Sequence, residues 1–516
     1  MSDYLDLLMF RALIAAILSG FPAAFSIAGI AVIFAYLGWA MGAMDIGLLG
    51  ALGQRVFGLL SNDVLIAIPL FVAMGAILER SRIAEHMLET MGRLFGGMRG
   101  GLGISVVLVG ALLAASTGIV GATVVAMGMI ALPSMLRAGY NPCISAGVVC
   151  TAGTLGQIIP PSTLLIILSD VVSNAWQQAQ YEQGKFAIEA LSVGQVFASA
   201  VIPGLVLVTL YLGYIGIHGR LRPGDMPPVG AGVPLPNLAA IMQAILPPAI
   251  LILAVLGAIL GGVATPTEAA SVGAVGALMM AGIRLGRWRR AILTGALALA
   301  VLGVLAGLLP VRLQRGDLGA GEAALGWLYV GLASVGAAGI ALALLSALRA
   351  RLIAEAVEAT ATMTAIIFAT IIAAGFFSLV FVGLGGEERV ADILAAMPGG
   401  PSGALLFSMA FIFVLGFFLD FVEIAVIVLP LIVPQLILMG HDPVWLGVLI
   451  AINLQTSFLT PPFGFSLFYL RGAAPREVTT THIYAGVAPF IILQLVGIAL
   501  VRLVPTLATW LPSALF

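Results

Sequence analysis

The stretch TLGQIIPPSTLLIILSD at residues 154–170 places two consecutive prolines inside a long apolar segment. A second stretch, LQTSFLTPPFGFSLFYL at residues 454–470, does the same. Proline has no backbone N–H, and its ring disfavours helix in the residue before it, so neither segment can be one uninterrupted helix. Each stretch is therefore predicted to contain two short helices separated by a break.

The composition around these breaks is typical of a membrane protein. Of the 516 residues, 61% are hydrophobic and only 9% are charged, whereas soluble domains have about 25% charged residues. The apolar runs are long and continuous, which favours membrane helices of about 20 residues over alternating barrel strands. The net charge of −1 gives no indication of nucleic-acid binding. We therefore predict an all-α polytopic membrane protein embedded in a lipid bilayer.

Apolar runs and basic connections give a predicted topology. The runs that predict membrane helices or half-helices are residues 7–37 (broken near Gly20 and Pro22), 64–78, 102–136 (interrupted by glycine), 143–158, 162–172, 196–217, 239–262, 267–283, 291–311, 324–348, 360–384, 403–439 (broken), 444–459, 463–470 and 483–514. The positive-inside rule places the arginine-rich connections on the cytoplasmic side, namely residues 79–100, 218–228, 284–290 and 349–351. The polar stretch 173–190 is predicted to be a small exposed insertion on the other side.

The two double prolines belong to a longer internal repeat. Five residues of the first half recur at a constant separation of 301, and the equivalent pairs are Pro133 and Pro434, Gly139 and Gly440, Pro142 and Pro443, Pro160 and Pro461, and Pro161 and Pro462. Repeated membrane halves with interrupted helices in matching positions are typical of secondary transporters. The sequence thus predicts two structural repeats with broken helices or re-entrant hairpins.

A helix break at membrane depth has a specific chemistry. The carbonyl groups that lose their helical partners must be satisfied inside the protein, where they can bind a cation. The next half-helix presents free N–H groups and a partial positive charge to the same place, which suits an anion. We therefore predict that Pro160, Pro161 and Ser162 of the first break, and Pro461, Pro462 and Gly464 of the second, line an ion or substrate site. The alternative is a pair of structural kinks.

A second irregular polar stretch lies upstream of each break. In the first half, residues 114–123 offer oxygens from Ser116, Thr117 and Gly118. In the second half, Asp420 and Glu423 lie three residues apart on one helix face. Carboxyl groups inside a membrane are costly, so an ion-binding or coupling role is predicted for this pair. The alternative for Asp420 and Glu423 is local helix capping or a hydrogen bond to a neighbouring helix.

Neutral oxygen donors next to the breaks predict sodium rather than a proton relay, because hard cations prefer oxygen ligands. The second break has more polar neighbours than the first. The predicted binding residues of both breaks are Thr154, Gly156, Asn453, Thr456, Ser457 and Thr460, and all of these except Thr456 are predicted sodium ligands. The chain contains no HExxH, GxSxG or P-loop motif, so no catalytic residue, resident cofactor or enzyme activity is predicted.

Several of these motifs resemble the large membrane subunit (DctM-like, M subunit) of tripartite ATP-independent periplasmic (TRAP) transporters. The resemblance covers most of residues 1–283 and 355–516. It is carried by LPSMLRAGYNP with GQIIPPS, by SVGQVFASAVIPGL (192–205), by GGVATPTEAASVGAVGAL (261–278), by LGFFLDFVEIAVIVLPLIVP (415–434) and by GHDPVWLGVLIAINLQTSFLTPPFGFSLF (440–468). The segment STGIVGAT departs from the more serine-rich pattern expected of the family.

The resemblance implies a fixed scaffold and a transport domain that moves as an elevator, driven by sodium as the coupling ion. It implies two partners, a small membrane subunit of four helices and a periplasmic substrate-binding protein, and a small organic acid as cargo. The implied location is the bacterial inner membrane. A stand-alone sodium-coupled carrier without a binding protein is the alternative, and a membrane enzyme or a channel is disfavoured.

The resemblance also divides the chain into six regions. They are 1–60 (N-terminal membrane helices of the scaffold), 61–172 (first repeat, transport part with the first hairpin), 173–283 (polar insertion and scaffold helices), 284–354 (extra two-helix insertion), 355–470 (second repeat, transport part with the second hairpin) and 471–516 (C-terminal helix). Related proteins usually connect the flanking parts directly, without the two extra helices at about 291–348. We expect them to pack outside the transport core, against lipid or a partner subunit.

Overall fold

The structure is a computed structural model that describes residues 4–118, 120–229, 235–311 and 319–516, except for the side chains of residues 114–117. Within these ranges every regular element is helical. Ten of the described helices are long and apolar enough to cross a membrane, or up to eleven if a bent pair is taken as one span. The predicted all-α membrane class is confirmed.

The helices follow one another through short connections. In the first half they are α1 (Leu5–Leu18), α2 (Ala23–Ala40), α3 (Leu52–Leu60), α4 (Asp63–Arg80), α5 (Ile83–Phe95), α6 (Gly101–Thr117), α7 (Val120–Arg137), α8 (Pro142–Thr154), α9 (Thr163–Glu182), α10 (Val193–Leu221), α11 (Leu238–Leu260) and α12 (Pro266–Leu285). A 3₁₀ turn, Ile46–Ala51, precedes α3, and another, Leu155–Gln157, follows α8.

The second half has the same character. Its helices are α13 (Arg289–Leu308), α14 (Ala320–Arg349), α15 (Leu352–Gly383), α16 (Gly386–Ala395), α17 (Gly400–Leu415), α18 (Phe421–Glu423), α19 (Leu429–Leu438), α20 (Pro443–Leu459), α21 (Phe465–Ala473), α22 (Thr480–Leu503) and α23 (Thr506–Leu515). A π-helical turn, Ile424–Val428, joins α18 to α19.

The breaks predicted within the long apolar runs are confirmed. The run 7–37 divides into α1 and α2, and Gly20 between them has a φ of +88° that favours glycine. The run 102–136 divides into α6 and α7, with Gly118 at the junction. The run 403–439 divides into α17 and the α18–α19 segment. In the second and third of these runs the two helices contact each other, so each forms a hairpin whose tip lies within the apolar sequence.

Two predicted helix boundaries are wrong. The polar stretch 173–190 is helical over its first part, because α9 continues to Glu182 with Ala175 and Ala179 buried, and only residues 183–190 form a largely exposed connection. The Gln180 amide then bonds the Glu189 backbone in both directions, donating to its carbonyl at 2.8 Å and accepting from its N–H at 3.0 Å. One apolar face was enough to keep this polar segment helical and packed.

The run 483–514 was predicted to be one C-terminal helix, and the structure divides it into α22 and α23. Pro505 lies between them, and it removes a backbone donor and disfavours helix at Val504. At the other end of the chain, residues 46–60 form an unpredicted apolar segment that meets α4 at 53°.

The extra helices α13 and α14 pack against each other and against α12, and α14 also touches α15. Their mutual contact is close because it is made by glycines: a Cβ on Gly295 would lie 2.8 Å from the Gly339 Cα. Large apolar side chains such as Leu297 and Trp327 point outward. The pair therefore lies at the periphery, as expected for helices that face lipid or a partner.

The two segments separated by 301 residues share their local structure. After α7, Gly139 and Tyr140 donate to Leu136 and Met135, and after α19 the equivalent Gly440 and His441 donate to Ile437 and Leu436. Both glycines have a positive φ, +81° and +96°. Asn141 and Asp442 then cap α8 and α20, and both double prolines contain a cis peptide bond. The sequence repeat is thus also a repeat of backbone conformation.

The most enclosed part of the protein is built by the two broken helices. Every residue from Ile144 to Thr154 in α8 is buried, as is every residue of α20. Helix α20 contacts α8, α9, α10 and α22, and α19 packs on α9. The first double-proline break, in which Pro160 and Pro161 are buried, therefore lies inside this bundle.

Candidate functional site

The first break begins where α8 ends at Thr154 and the chain makes one 3₁₀ turn. Helix α9 starts again at Thr163, capped by Ser162. The Ser162 hydroxyl donates to the Gln157 carbonyl at 2.9 Å and accepts from the Leu165 N–H at 3.4 Å. One side chain thus joins the two sides of the break, satisfying a freed carbonyl before the prolines and a free N–H after them.

The second break is built by different residues. Helix α20 ends at Leu459, and Thr460 is extended. The Ser466 hydroxyl donates to the Phe458 carbonyl at 2.7 Å, and the Gly464 N–H donates to the Thr460 carbonyl at 3.1 Å. A Cβ on Gly464 would lie 2.5 Å from the Phe458 carbonyl oxygen, so only glycine fits this turn.

Each hairpin tip packs onto a break. Gly118, at the tip of the α6–α7 hairpin, has a φ of +61°, and a Cβ there would lie 2.8 Å from Thr163 Oγ1 and 3.0 Å from its backbone nitrogen. Gly416, at the tip formed by α17 and α18, lies so close to Ser457 that a Cβ would collide with that side chain. The predicted involvement of both irregular upstream stretches is consistent with this packing.

The two halves meet at a hydrogen bond between Thr154 and Gln455. The Gln455 amide donates to the Thr154 hydroxyl at 3.4 Å, and that hydroxyl donates to the Thr151 carbonyl at 2.9 Å. Both Thr154 and Gln455 are fully buried. The contact joins the last turn of α8 to the equivalent region of α20.

Buried polar atoms without a hydrogen-bond partner in the described chain cluster around this contact. They are Thr151 Oγ1, both polar atoms of the Gln157 amide, Thr163 Oγ1 and Gln455 Oε1. Leaving such a group unpaired costs about 1–3 kcal/mol, so a cluster of them indicates a place where an ion, water or ligand binds. The groups concerned are all neutral hydroxyls or side-chain amides, and their oxygens are the type of ligand expected of a sodium site.

In the structure the predicted sodium ligands fall into two groups, one at the first break and one along the last turns of α20. Thr154 and Gly156 lie at the buried first break. Asn453 lies one turn further from the second break, where its amide donates to the Met409 carbonyl at 2.8 Å and so ties α20 to α17. The hydroxyls of Ser457 and Thr460, and that of Thr456, donate to carbonyls of their own helix and keep lone pairs free to accept.

The two breaks differ in exposure. Pro160, Pro161 and Ser162 are buried, whereas Pro461 is half-buried and Pro462 is exposed. The second break has more polar neighbours in the sequence, but the unpartnered polar atoms lie mainly at the first. The better-enclosed binding environment is therefore at the first break.

Asp420 and Glu423 form a capping box at the start of α18. The Asp420 carboxylate accepts from the Phe421 N–H at 2.8 Å, and the Glu423 carboxylate accepts from the Asp420 N–H at 3.1 Å. The alternative of local capping is thus observed, and the π-helical turn follows directly. Their role in ion binding stays a prediction. The side chains of Ser116 and Thr117 lie outside the described part of the structure.

The structure adds to the site Thr163, which the sequence did not single out. Gln157 and Gln455 also contribute; the sequence offers both as neutral oxygen donors beside the breaks, in LGQII and in LQTSF, although neither was among the predicted ligands. Glutamine is costly to bury without a partner, so these two amides inside apolar runs carried a further signal. Thr163 carries no such signal, since it is an ordinary first residue of a helix.

Comparisons with known proteins agree with this architecture. The family model described as "Tripartite ATP-independent periplasmic transporter, DctM component" matches residues 10–312 and 318–507. The C4-dicarboxylate TRAP transporter large permease protein DctM of Vibrio cholerae is 27% identical, over 98% of this chain and 97% of the relative. The ectoine TRAP transporter large permease protein TeaC of Halomonas elongata is 23% identical, over 99% of both chains.

Two further similarities extend the picture. The sialic acid TRAP transporter large permease protein SiaM of Vibrio cholerae is 23% identical, over 96% of this chain and 95% of the relative. Among solved structures, the Alcanivorax borkumensis YdaH transporter aligns with a TM-score of 0.52 at 15% identity, covering 90% of this chain and 88% of that one, and so shares the fold.

Together, the apolar helices and the bacterial permease relatives show a multi-pass protein of the bacterial inner membrane. The family match spans almost the whole sequence, including most of the extra helix pair α13–α14. The chain therefore belongs to the DctM family, the large permease component of tripartite ATP-independent periplasmic transporters.

Proposed function

We propose that the chain is the large permease subunit of a sodium-coupled transporter that imports a small organic acid delivered by a periplasmic binding protein. The observation that carries the proposal is the meeting of the two broken helices at Thr154 and Gln455, beside buried polar atoms that have no hydrogen-bond partner among the described residues. A simple pair of structural kinks needs no such cluster. The proposal includes no catalytic step and no resident cofactor.

Sodium is the proposed coupling ion because the site offers neutral oxygens at short range. The hydroxyl groups of Thr151, Thr154 and Thr163 and the Gln157 and Gln455 side-chain oxygens lie at the first break or beside it. Hard monovalent and divalent cations prefer such ligands, and the carbonyls freed at the break add to them. No charged group is needed at the first break for this set to bind a cation.

An organic acid is the proposed cargo because α9 and α21 each begin at a break. The first turn of a helix presents free N–H groups and a partial positive charge, which stabilise a carboxylate. The relatives are named for C4-dicarboxylates, ectoine and sialic acid, each of which carries a carboxylate. We propose only that the cargo of this chain also carries a carboxylate, and not that it is any one of these compounds.

The proposed movement is of the elevator type. The hairpins and broken helices, including α8, α9, α20 and α21, would move together past a fixed framework that includes α4 and the two helices that pack on it, α12 and α15. The proposed partners are a small membrane subunit of four helices and a periplasmic binding protein. The isethionate TRAP transporter permease protein DctMQ of Oleidesulfovibrio alaskensis is a longer relative, and the alignment with this chain covers 59% of its length.

Reconstitution tests the proposal. The full chain is placed in liposomes with its small membrane subunit, and uptake of the ligand that co-purifies with the binding protein is measured under an inward sodium gradient. We expect uptake only when the binding protein is present. Sodium-driven uptake that is equally fast without it would instead support the alternative, a stand-alone carrier.

A further inference from the structure

A cavity of about 390 Å³ lies apart from the two breaks. Its walls come from α3, α4 and α15 on one side and from α9 and the π-helical turn with α19 on the other. Its polar lining consists of Arg55, Asn62, Asp170, Asn174, Gln178 and Ser378. This volume is enough for a small organic molecule.

The cavity lies toward the non-cytoplasmic face. It touches α4 at Asn62 and Leu65, where that helix begins, whereas Arg80 lies at its other end. It touches α15 between Ile371 and Ser378, far from the arginines that precede that helix. Because arginines mark the cytoplasmic ends of membrane helices, the cavity lies near the outer ends of α4 and α15.

The acidic group in the cavity is already occupied by amide donors. The Asp170 carboxylate accepts from the Asn62 amide at 2.8 Å through one oxygen and from the Asn174 amide at 3.4 Å through the other. The Gln178 amide likewise donates to Glu387 at 2.8 Å. The Asp170 carboxylate therefore accepts one hydrogen bond from the residue that caps α4 and one from within α9, and Glu387 accepts one from α9.

Arg55 differs from these groups. It lines the same cavity, is exposed, and makes no ion pair or hydrogen bond with any residue that the structure describes. A guanidinium group binds a carboxylate through two parallel hydrogen bonds, and it does so better than any other side chain. Ser378 adds a hydroxyl within the same lining.

We propose that this cavity is an outer binding site for a small carboxylate, with Arg55 binding the carboxylate group. Asp170 lies seven residues beyond Thr163 along α9, or about 10 Å at the helical rise, so this site is separate from the first break. The identification of the bound carboxylate with the transported cargo rests on the proposed function. The proposal that a carboxylate binds in this cavity is independent of that function.

Cysteine labelling tests the site without measuring uptake. In the full chain with Cys143→Ala and Cys150→Ala, Gly58→Cys introduces a thiol into the cavity wall, where a Cβ meets no atom within 4 Å. Spheroplasts are treated from outside with anionic methanethiosulfonate ethylsulfonate or its cationic trimethylammonium analogue. The measured quantity is the ratio of the two reaction rates.

We expect Arg55→Gln to lower the anionic-to-cationic rate ratio by about tenfold, as for loss of a charge that concentrates anions locally. Arg55→Lys keeps the positive charge and restores most of the ratio. The control Arg137→Gln makes the same charge change at an exposed residue at the end of α7 and leaves the ratio unchanged. Lactate, a small carboxylate, slows the anionic reaction in the parent and not in Arg55→Gln.

A ratio that Arg55→Gln does not change would overturn the proposal, and so would a reaction that lactate does not slow. A thiol at residue 58 that reacts only after detergent solubilisation would contradict an outer opening. The labelling experiment does not measure uptake. If transport proves not to depend on the binding protein, the proposed function is contradicted, but the labelling result still tests whether the cavity binds a carboxylate.

Discussion

Gln455 donates a hydrogen bond to Thr154 at 3.4 Å, and these two residues are equivalents in the internal repeat, 301 positions apart. The contact joins α8 to α20, the two helices that begin at the equivalent residues Pro142 and Pro443. Any ion bound at this point would contact both halves of the chain.

The first prediction concerns this contact. Thr154→Val keeps the volume of the side chain and removes the hydroxyl that bonds Gln455 and the Thr151 carbonyl. The free energy of unfolding is expected to fall by about 1 kcal/mol, the usual net value of a hydrogen bond. The sodium concentration for half-maximal uptake is expected to rise by about tenfold, which corresponds to a loss of about 1.4 kcal/mol of ion-binding free energy.

Sodium titration of uptake in liposomes measures this effect, and Thr154→Ser, which keeps the hydroxyl, is the matched control. An unchanged sodium titration for Thr154→Val would remove Thr154 from the ion site.

The second prediction concerns the tip of the first hairpin. Gly118→Ala places a Cβ 2.8 Å from Thr163 Oγ1 and forces a positive φ on a residue that avoids it. We expect uptake to be lost, since the tip must shift away from the start of α9. Gly184→Ala is the control, because Gly184 has a φ of +72° but open space around it, so it shares the backbone cost of about 1–2 kcal/mol without the collision. Equal uptake by both variants would argue against a functional tip.

The third prediction separates two residues that sequence reasoning treated alike. Asn453→Ala removes the donor to the Met409 carbonyl and is expected to cost about 1–3 kcal/mol of stability, because a partly buried carbonyl loses its partner. Thr460→Ala removes only a hydroxyl bonded within its own helix, so assembly is expected to stay intact while sodium dependence weakens.

Thermal unfolding and sodium titration, measured on both variants, check this pair. A destabilised Thr460→Ala protein, or one with unaltered sodium dependence, would not fit the proposed role of the second break.

The fourth prediction concerns the capping box. Asparagine caps a helix as well as aspartate, and glutamine replaces glutamate in the same motif, so Asp420→Asn and Glu423→Gln are expected to fold normally. A carboxylate is nonetheless the costlier choice within a membrane, which favours a role for its charge. We expect each variant to lose uptake by at least about tenfold, the scale of one charge interaction near 1.4 kcal/mol. Retained uptake in both would reduce the pair to structural caps.

Several features followed from the sequence because their causes are local. The double prolines at 160–161 and 461–462 each disfavour continued helix before them, and a glycine at a hairpin tip permits a positive φ, so the interruptions near Pro160, Pro461 and Gly118 were predictable. Helix α11, by contrast, continues through Pro247 and Pro248. The peripheral position of α13 and α14 was also predictable, since their apolar surface is continuous and they are inserted between the two regions whose motifs resemble the transporter family.

Other features depend on packing and were not predictable. A constant separation of 301 makes Thr154 and Gln455 equivalent, but it gives no distance between them. The buried face of α9 beyond residue 172 lies in a polar stretch, where only the arrangement of Ala175 and Ala179 reveals it. A binding role for Arg55 could not be predicted from the sequence, because the cavity that it lines has walls from helices more than a hundred residues apart in the chain.

The most direct measurement is uptake of the binding protein's ligand into liposomes that contain both membrane subunits, under an inward sodium gradient and again with sodium replaced by choline. The proposed sodium coupling predicts uptake that follows the sodium gradient and stops in choline. It also predicts that Thr154→Val shifts the sodium dependence of uptake to higher concentration. Uptake that continues unchanged in choline would contradict sodium coupling at the meeting point of the two broken helices.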